Sequence, residues 1–194
     1  MRNREVFLRL TTVLLLIAAS ACGKPFNIRP IAAVKAPDYE AASTVDRVLV
    51  NGVALTDEDF LYETFNANLI LAGVLPVRLK LTNAGPTEIN FRRNWFELRA
   101  GDRRLKSIEA KRAFKRMLSF YGVRIYNKIG YEQSRTALRS YELDFGAPLK
   151  PGASRDGIVF FEARPPVERD VALVLLAKGL GGSDSRKLLE LRLK

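Results

Sequence analysis

The sequence predicts a mainly β, antiparallel sandwich with a short N-terminal helix and a basic amphipathic helical insertion. Short runs in which apolar and polar residues alternate recur along the chain, as at residues 77–82 and 189–193, and turn residues separate them. Residues 157–162 and 171–177 are apolar on both faces, which is typical of strands covered on both sides. Seven or more short strands with frequent turn signals indicate an antiparallel sandwich.

The first elements of this domain are a strand and a short helix. Residues 46–50 are predicted to form the strand, and Asn51-Gly52 is predicted to turn it. Thr56 then precedes three acidic residues, which suits a capped helix N-terminus and predicts a helix to about Asn66. A calcium site is the alternative, but consecutive side chains point apart and the EF-hand spacing is missing.

Residues 107–133 are predicted to form the basic helical insertion, and residues 140–145 to resume the sheet as a strand. Ser107 is a good N-cap and Gly122 suits the position after the helix. On a helical wheel the apolar residues share one side, and the other side carries Lys111, Arg112, Lys115 and Arg116. These cations could contact lipid headgroups or lipopolysaccharide phosphates. The alternative is a solvated face of a helix that packs on the sheet.

The N-terminus reads as an export signal over residues 1–21. Three arginines precede residues 10–23, which carry no charge. That uncharged stretch is too short for a spanning helix, which needs about 20 residues. The small residues Ala19-Ser20-Ala21 suit a signal peptidase, and the next residue, Cys22, is the only cysteine of the chain.

The segment Ala19-Ser20-Ala21-Cys22 resembles the lipobox of bacterial lipoproteins. The resemblance implies that the Cys22 thiol carries a diacylglycerol and that the new N-terminus carries a third acyl chain, which together anchor the protein in a membrane. Gly23, where an aspartate would favour inner-membrane retention, implies sorting to the outer membrane, with the domain on its periplasmic face. Ala-x-Ala is also an ordinary secretory cleavage site, so a soluble exported protein is the alternative.

Residues 22–44 are predicted to be a lipidated tether, and residues 45–194 the folded domain. Pro25, Pro30 and Pro37 favour extended backbone in the tether. The 194 residues include no histidine, which excludes Ser-His-Asp and Cys-His catalysis and a Cys/His zinc site. We expect no cofactor and no metal. The net charge of +11 would suit nucleic acid, but export argues against that partner.

Residues 75–81, the following Asn83-Ala84-Gly85 and residues 148–161 resemble immunoglobulin-like sandwich domains of uncharacterised bacterial lipoproteins. Such domains usually bind or scaffold, so the resemblance implies a non-catalytic envelope module that docks an envelope protein. One alternative is a binding module for anionic lipid or glycan that uses the basic helix. A second alternative is a carboxylate-based cell-wall hydrolase, although no two specific carboxylates are brought together by the sequence.

Overall fold

The computed structural model of the chain describes residues 24–163, 173–178 and 188–193. The predicted signal peptide and Cys22 lie outside these residues. The helices are α1 (Glu58–Phe65), α2 (Ala110–Phe120) and α3 (Lys128–Ser140). The strands are β1 (Ala41–Val45), β2 (Val48–Ala54), β3 (Val74–Asn83), β4 (Phe96–Ala100), β5 (Arg103–Ile108), β6 (Ser154–Glu162), β7 (Leu173–Lys178) and β8 (Leu188–Leu193).

The eight strands form one antiparallel sheet in the order β1-β2-β3-β6-β5-β4-β7-β8. The sheet curls until β8 lies against β1 and β2, so that it is nearly closed like a barrel. Gly52 of β2 permits this approach, because a Cβ there would lie 2.7 Å from Leu191 Cδ2. The mainly β, antiparallel prediction is confirmed. The immunoglobulin-like arrangement of two packed sheets is not confirmed, since a single curled sheet encloses its own core.

Two hydrophobic cores lie on the two faces of the sheet. The inner core fills the curled sheet and includes Leu79 of β3, Phe96 of β4 and Phe161 of β6. The outer core joins Phe160 of β6 to the helices, chiefly through Phe114 of α2. Alternate residues of β6 thus serve opposite cores, which explains why this strand is apolar on both faces.

The first turn of the sheet is at Asp46-Arg47 and not at Asn51-Gly52. Asp46 and Arg47 both have positive φ, at 43° and 68°, and Val45 pairs with Val48 across a two-residue turn. A hairpin turn of this kind matches the twist of its strands. The predicted turn at Asn51-Gly52 is wrong because both residues pair on both sides inside β2.

The segment before β1, predicted as part of a tether, packs on the domain, and residues 41–44 of the predicted tether lie in β1. Phe26 and Ile28 are 4% and 8% exposed and belong to the outer core. Arg29 N donates to Thr64 O at 2.9 Å, and Ser134 Oγ donates to Phe26 O at 2.7 Å. The prolines therefore shape an extended segment that lies on the helices.

The capped helix at the start of the domain is confirmed as α1, with Asp57 as its cap. The Asp57 side chain accepts a hydrogen bond from Phe60 N at 2.6 Å. The predicted cap, Thr56, lies one residue earlier. At the other end Asn66 adopts a left-handed conformation, and Leu61 and Phe65 are fully buried.

The insertion predicted over residues 107–133 is two helices, α2 and α3, joined by a turn that starts at Gly122. Ser107 is not an N-cap, because it belongs to β5 and its Oγ donates to Arg93 O at 2.8 Å. Glu142 Oε1 instead accepts from Ala110 N at 2.9 Å, so a residue after α3 satisfies the first turn of α2. Gly122 has φ +62°, as a residue just after a helix requires.

The strand predicted at residues 140–145 is wrong. Helix α3 continues to Ser140, and Glu142 forms an isolated parallel bridge with Ile158. The backbone there runs so close to β6 that a Cβ on Gly157 would lie 2.5 Å from Leu143 Cα. The alternation that suggested a strand reflects the burial of Tyr141 in the outer core and of Leu143 in the inner core.

Candidate interaction surface

Arg112 and Arg116 of α2 are paired within the protein. Arg112 Nη2 lies 2.6 Å from Glu162 Oε2, and Arg116 Nη2 donates to Glu162 Oε1. Partial burial raises the pKa of Glu162, but the hydrogen bond and charge of Arg116, and then those of Arg112, outweigh it and lower the pKa below its ordinary value. Because Glu162 ends β6, two of the four predicted contact cations hold the helix on the sheet.

Lys111 and Lys115, the other two predicted contact residues, are exposed to solvent. Neither forms an ion pair with another residue of the described part of the chain. The structure therefore places all four cations on α2, as the sequence predicted, but pairs Arg112 and Arg116 with Glu162.

A second exposed surface, which sequence reasoning missed, lies where α2 turns into α3. We call residues 120–129 the hairpin tip. Its large apolar side chains are exposed: Phe120 by 53%, Ile125 by 80% and Ile129 by 72%. Arg124 and Lys128 are exposed between them. In residues 124–129 a cation directly precedes each of two isoleucines, and this pattern is the sequence signal that could have identified this surface.

The hairpin tip is held by packing beneath it. The Tyr126 ring stacks on the Tyr131 ring with centroids 5.1 Å apart, and Tyr131 meets Phe114 of the outer core edge-on. Val123 N donates to Leu118 O at 3.0 Å, and the Asn127 side chain caps α3 by accepting from Gly130 N. The exposed isoleucines are thus presented by an ordered turn.

The chain that forms α2 and the hairpin tip is rich in basic residues. Between Ala110 and Tyr131 the chain carries six basic residues and no acidic one. The first acidic residue of α3, Glu132, pairs with Arg135 at 2.5 Å. An exposed apolar patch framed by cations is suited to an anionic partner with an apolar layer, or to a complementary protein surface.

A cavity of about 460 Å³ lies between residues 31–39 and the outer face of the sheet. Ile31, Val34 and Phe60 line its apolar side. Its polar side is a cluster in which Arg78 Nη2 donates to Asp156 Oδ2 at 2.6 Å and Tyr39 Oη donates to the same oxygen at 2.6 Å.

The polar groups of this cluster satisfy one another. Arg78 Nε donates to Asp156 Oδ1 at 3.1 Å, Arg78 Nη1 donates to Pro37 O at 2.8 Å, and the guanidinium lies 4.6 Å from the centre of the Tyr39 ring. Burial, and then the hydrogen bond to Asp156, raise the pKa of Tyr39 well above its ordinary value. The cluster fastens the segment before β1 to β3 and β6.

Within residues 24–163, 173–178 and 188–193, no group of three or more His, Cys, Asp or Glu side chains could hold a metal ion. None of the helices described there combines the length and the apolar character that crossing a bilayer requires.

No protein-family model and no curated protein sequence matches the chain. Among solved structures, a candidate lipoprotein from Bacillus subtilis is similar over 80% of this chain and 38% of its own length, at 15% identity and a TM-score of 0.45. A functionally unknown protein from Listeria monocytogenes is similar over 82% of this chain and 80% of its own, at 8% identity and a TM-score of 0.35. The chain spans less than half the length of the Bacillus structure.

Proposed function

We propose that this protein is a non-catalytic, lipid-anchored interaction module of the bacterial cell envelope. Cleavage after Ala21 removes the signal peptide, and the acylated Cys22 holds the domain at the periplasmic face of the outer membrane. The hairpin tip is the surface with which the domain contacts another component of the envelope.

The observation that carries the proposal is the exposure of Phe120, Ile125 and Ile129 on one ordered turn. Burying a large apolar side chain stabilises a protein by roughly 1.5–3 kcal/mol, and an exposed side chain does not contribute this free energy. A contact surface accounts for such a patch, particularly since charged residues border it. The chain supplies the anchor through its lipobox resemblance, which brings this surface to the envelope.

The anchor is tested by metabolic labelling with a radioactive or clickable fatty acid. We expect label on the wild-type protein and none on the Cys22→Ser variant. Label missing from the wild type, or unchanged in the variant, would remove the anchor from the proposal.

The contact surface is tested with a photo-crosslinking amino acid at position 129 in the native lipidated protein. Position 150 is the matched control, because Lys150 is also exposed but lies in the turn before β6. We expect crosslinked products in intact envelopes from position 129 and few from position 150. Equal yields from the two positions would show that the hairpin tip is not a preferred contact.

A further inference from the structure

The segment before β1 docks on the helical hairpin close to the hairpin tip. Phe26, the first buried residue of the described chain, packs edge-on against Tyr121 with ring centroids 5.9 Å apart. Tyr121 is the C-cap of α2, where the chain turns towards α3. Phe26 also packs on Phe114 and its carbonyl accepts from Ser134 Oγ, whereas Arg29 O accepts from Tyr141 Oη just beyond α3. The chain therefore runs from Arg29 back to Phe26 along the hairpin towards its turn, which carries the exposed Ile125.

The link between the anchor and the domain is short. Three residues separate Cys22 from Phe26, and the four Cα–Cα steps between them span at most about 14 Å in a fully extended chain. The headgroup region on each side of a bilayer is several ångströms deep, so a domain held on such a link lies against the membrane surface. With Cys22 in the bilayer, the side of the domain on which Phe26 docks is the side nearest the membrane.

We infer that the hairpin tip inserts its apolar side chains into the headgroup boundary of the anionic bilayer that holds the Cys22 lipid, so that the domain lies on the membrane in one orientation. This inference rests on the proposed function, and it names the bilayer as the component that the hairpin tip contacts. Ile125 and Ile129 enter the boundary, while Arg124 and Lys128 stay at the level of the phosphates.

The charges of the hairpin tip complement such a surface. Each Lys or Arg near an anionic leaflet contributes roughly 1 kcal/mol of attraction. Arg124 and Lys128 are exposed beside the isoleucines, and no acidic residue occurs between Ala110 and Tyr131 to oppose them. Lys115 lies further back on α2 and adds to the same field.

The test uses a fluorescent label on an introduced cysteine in the lipidated protein. Cys22 is the only native cysteine and its sulfur carries the lipid, so Ile125→Cys supplies the single free thiol. Lys150→Cys is the control, because Lys150 lies far from the helical hairpin. Lys150 is in the turn before β6, whereas Glu162, which pairs with Arg112 of α2, is the last residue of that strand. At about 3.3 Å per residue, the first and last residues of β6 lie about 26 Å apart.

Both labelled proteins are reconstituted in vesicles of phosphatidylethanolamine and phosphatidylglycerol that contain lipids brominated on the acyl chain. We expect the label at position 125 to be quenched several-fold more strongly than the label at position 150, with a blue-shifted emission. We expect Arg124→Glu with Lys128→Glu, added to Ile125→Cys, to reduce the quenching. Replacing phosphatidylglycerol with phosphatidylcholine should have the same effect.

Equal, weak quenching at the two positions would overturn the inference while leaving the anchor intact. A blue shift at position 125 in native envelopes but not in lipid vesicles would also overturn it, and would identify a protein as the partner. Quenching that charge reversal leaves unchanged would contradict the role of the cations. A wild-type protein without fatty-acid label would instead refute the proposed function, and with it the anchored orientation.

Discussion

The ring of Phe26 meets the ring of Phe114 edge-on with centroids 5.9 Å apart, and this contact joins the segment before β1 to the helical hairpin. Phe114 is fully buried in α2 and Phe26 is 4% exposed. The segment before β1 is thus part of the outer core.

Phe26→Ala tests whether this contact holds the segment before β1. Removing a buried phenylalanine ring leaves a cavity and typically costs about 3–5 kcal/mol. We expect a loss of about 3 kcal/mol in the free energy of unfolding, measured by urea denaturation. Ile31→Ala is the control, because Ile31 is 51% exposed, and its effect should stay within about 0.5 kcal/mol. Equal effects of the two changes would mean that Phe26 is not docked.

Glu162→Gln tests the ion pairs that hold α2 on β6. After allowance for solvent screening, we expect a loss of about 1 kcal/mol at pH 7. Because folding lowers the pKa of Glu162, its charge stabilises the native state above pH 4.5, the ordinary value, and this stabilisation is lost as the pH falls through the lowered pKa. The difference between wild type and variant should therefore shrink in acid unfolding titrations.

The control for that experiment is Glu132→Gln, which removes an ion pair between neighbouring turns of α3. Its effect should remain below about 0.5 kcal/mol. A Glu162→Gln variant that is as stable as the control at pH 7 would contradict the role assigned to Glu162.

Tyr39→Phe removes the hydrogen bond to Asp156 and should cost about 1 kcal/mol at pH 7. Folding raises the pKa of Tyr39, so the protonated phenol stabilises the native state below its ordinary pKa of about 10. This stabilisation is lost as the pH rises towards the raised value. Urea denaturation at pH 7 and at pH 11 should show a smaller difference between wild type and variant at pH 11, and a difference independent of pH would contradict this account.

Gly157→Ala and Gly52→Ala form a matched pair, because both place a methyl group inside a strand. At Gly157 the new Cβ would meet the backbone of Leu143 at 2.5 Å, whereas at Gly52 it would meet the end of the Leu191 side chain at 2.7 Å. Overpacking usually costs about 1–3 kcal/mol, and more where nothing can move. We expect Gly157→Ala to cost more than about 3 kcal/mol and Gly52→Ala about 1 kcal/mol, by thermal unfolding. The reverse order would contradict the packing described here.

Local patterns in the sequence predicted the elements whose formation depends on neighbours in the chain. The alternation at residues 77–82 and 189–193 lies in β3 and β8, and the acidic first turn of α1 is where charge complements a helix N-terminus. These features depend on backbone periodicity and on the helix dipole, which act over a few residues.

The features that local patterns did not predict depend on packing between residues that are distant in the chain. Asn51-Gly52 has the composition of a hairpin turn. Gly52 instead lies inside β2, where the absence of a side chain leaves room for the leucine side chains of β8. Prolines favoured a tether, but Phe26 and Ile28 supply the core contacts that dock it. The pairing of Arg112 and Arg116 was missed because Glu162 lies some fifty residues away in the chain. A helical wheel shows which residues share a face but not what the face meets.

The most direct test of the account is the intact mass of the protein extracted from envelopes, with sequencing of its N-terminal peptide. We expect a chain that begins at Cys22 and is heavier than the peptide mass by a diacylglyceryl group and one further acyl chain. A chain that begins at Cys22 with a free thiol and a free amine would contradict the central claim, because the hairpin tip would then have no anchor to hold it at the membrane.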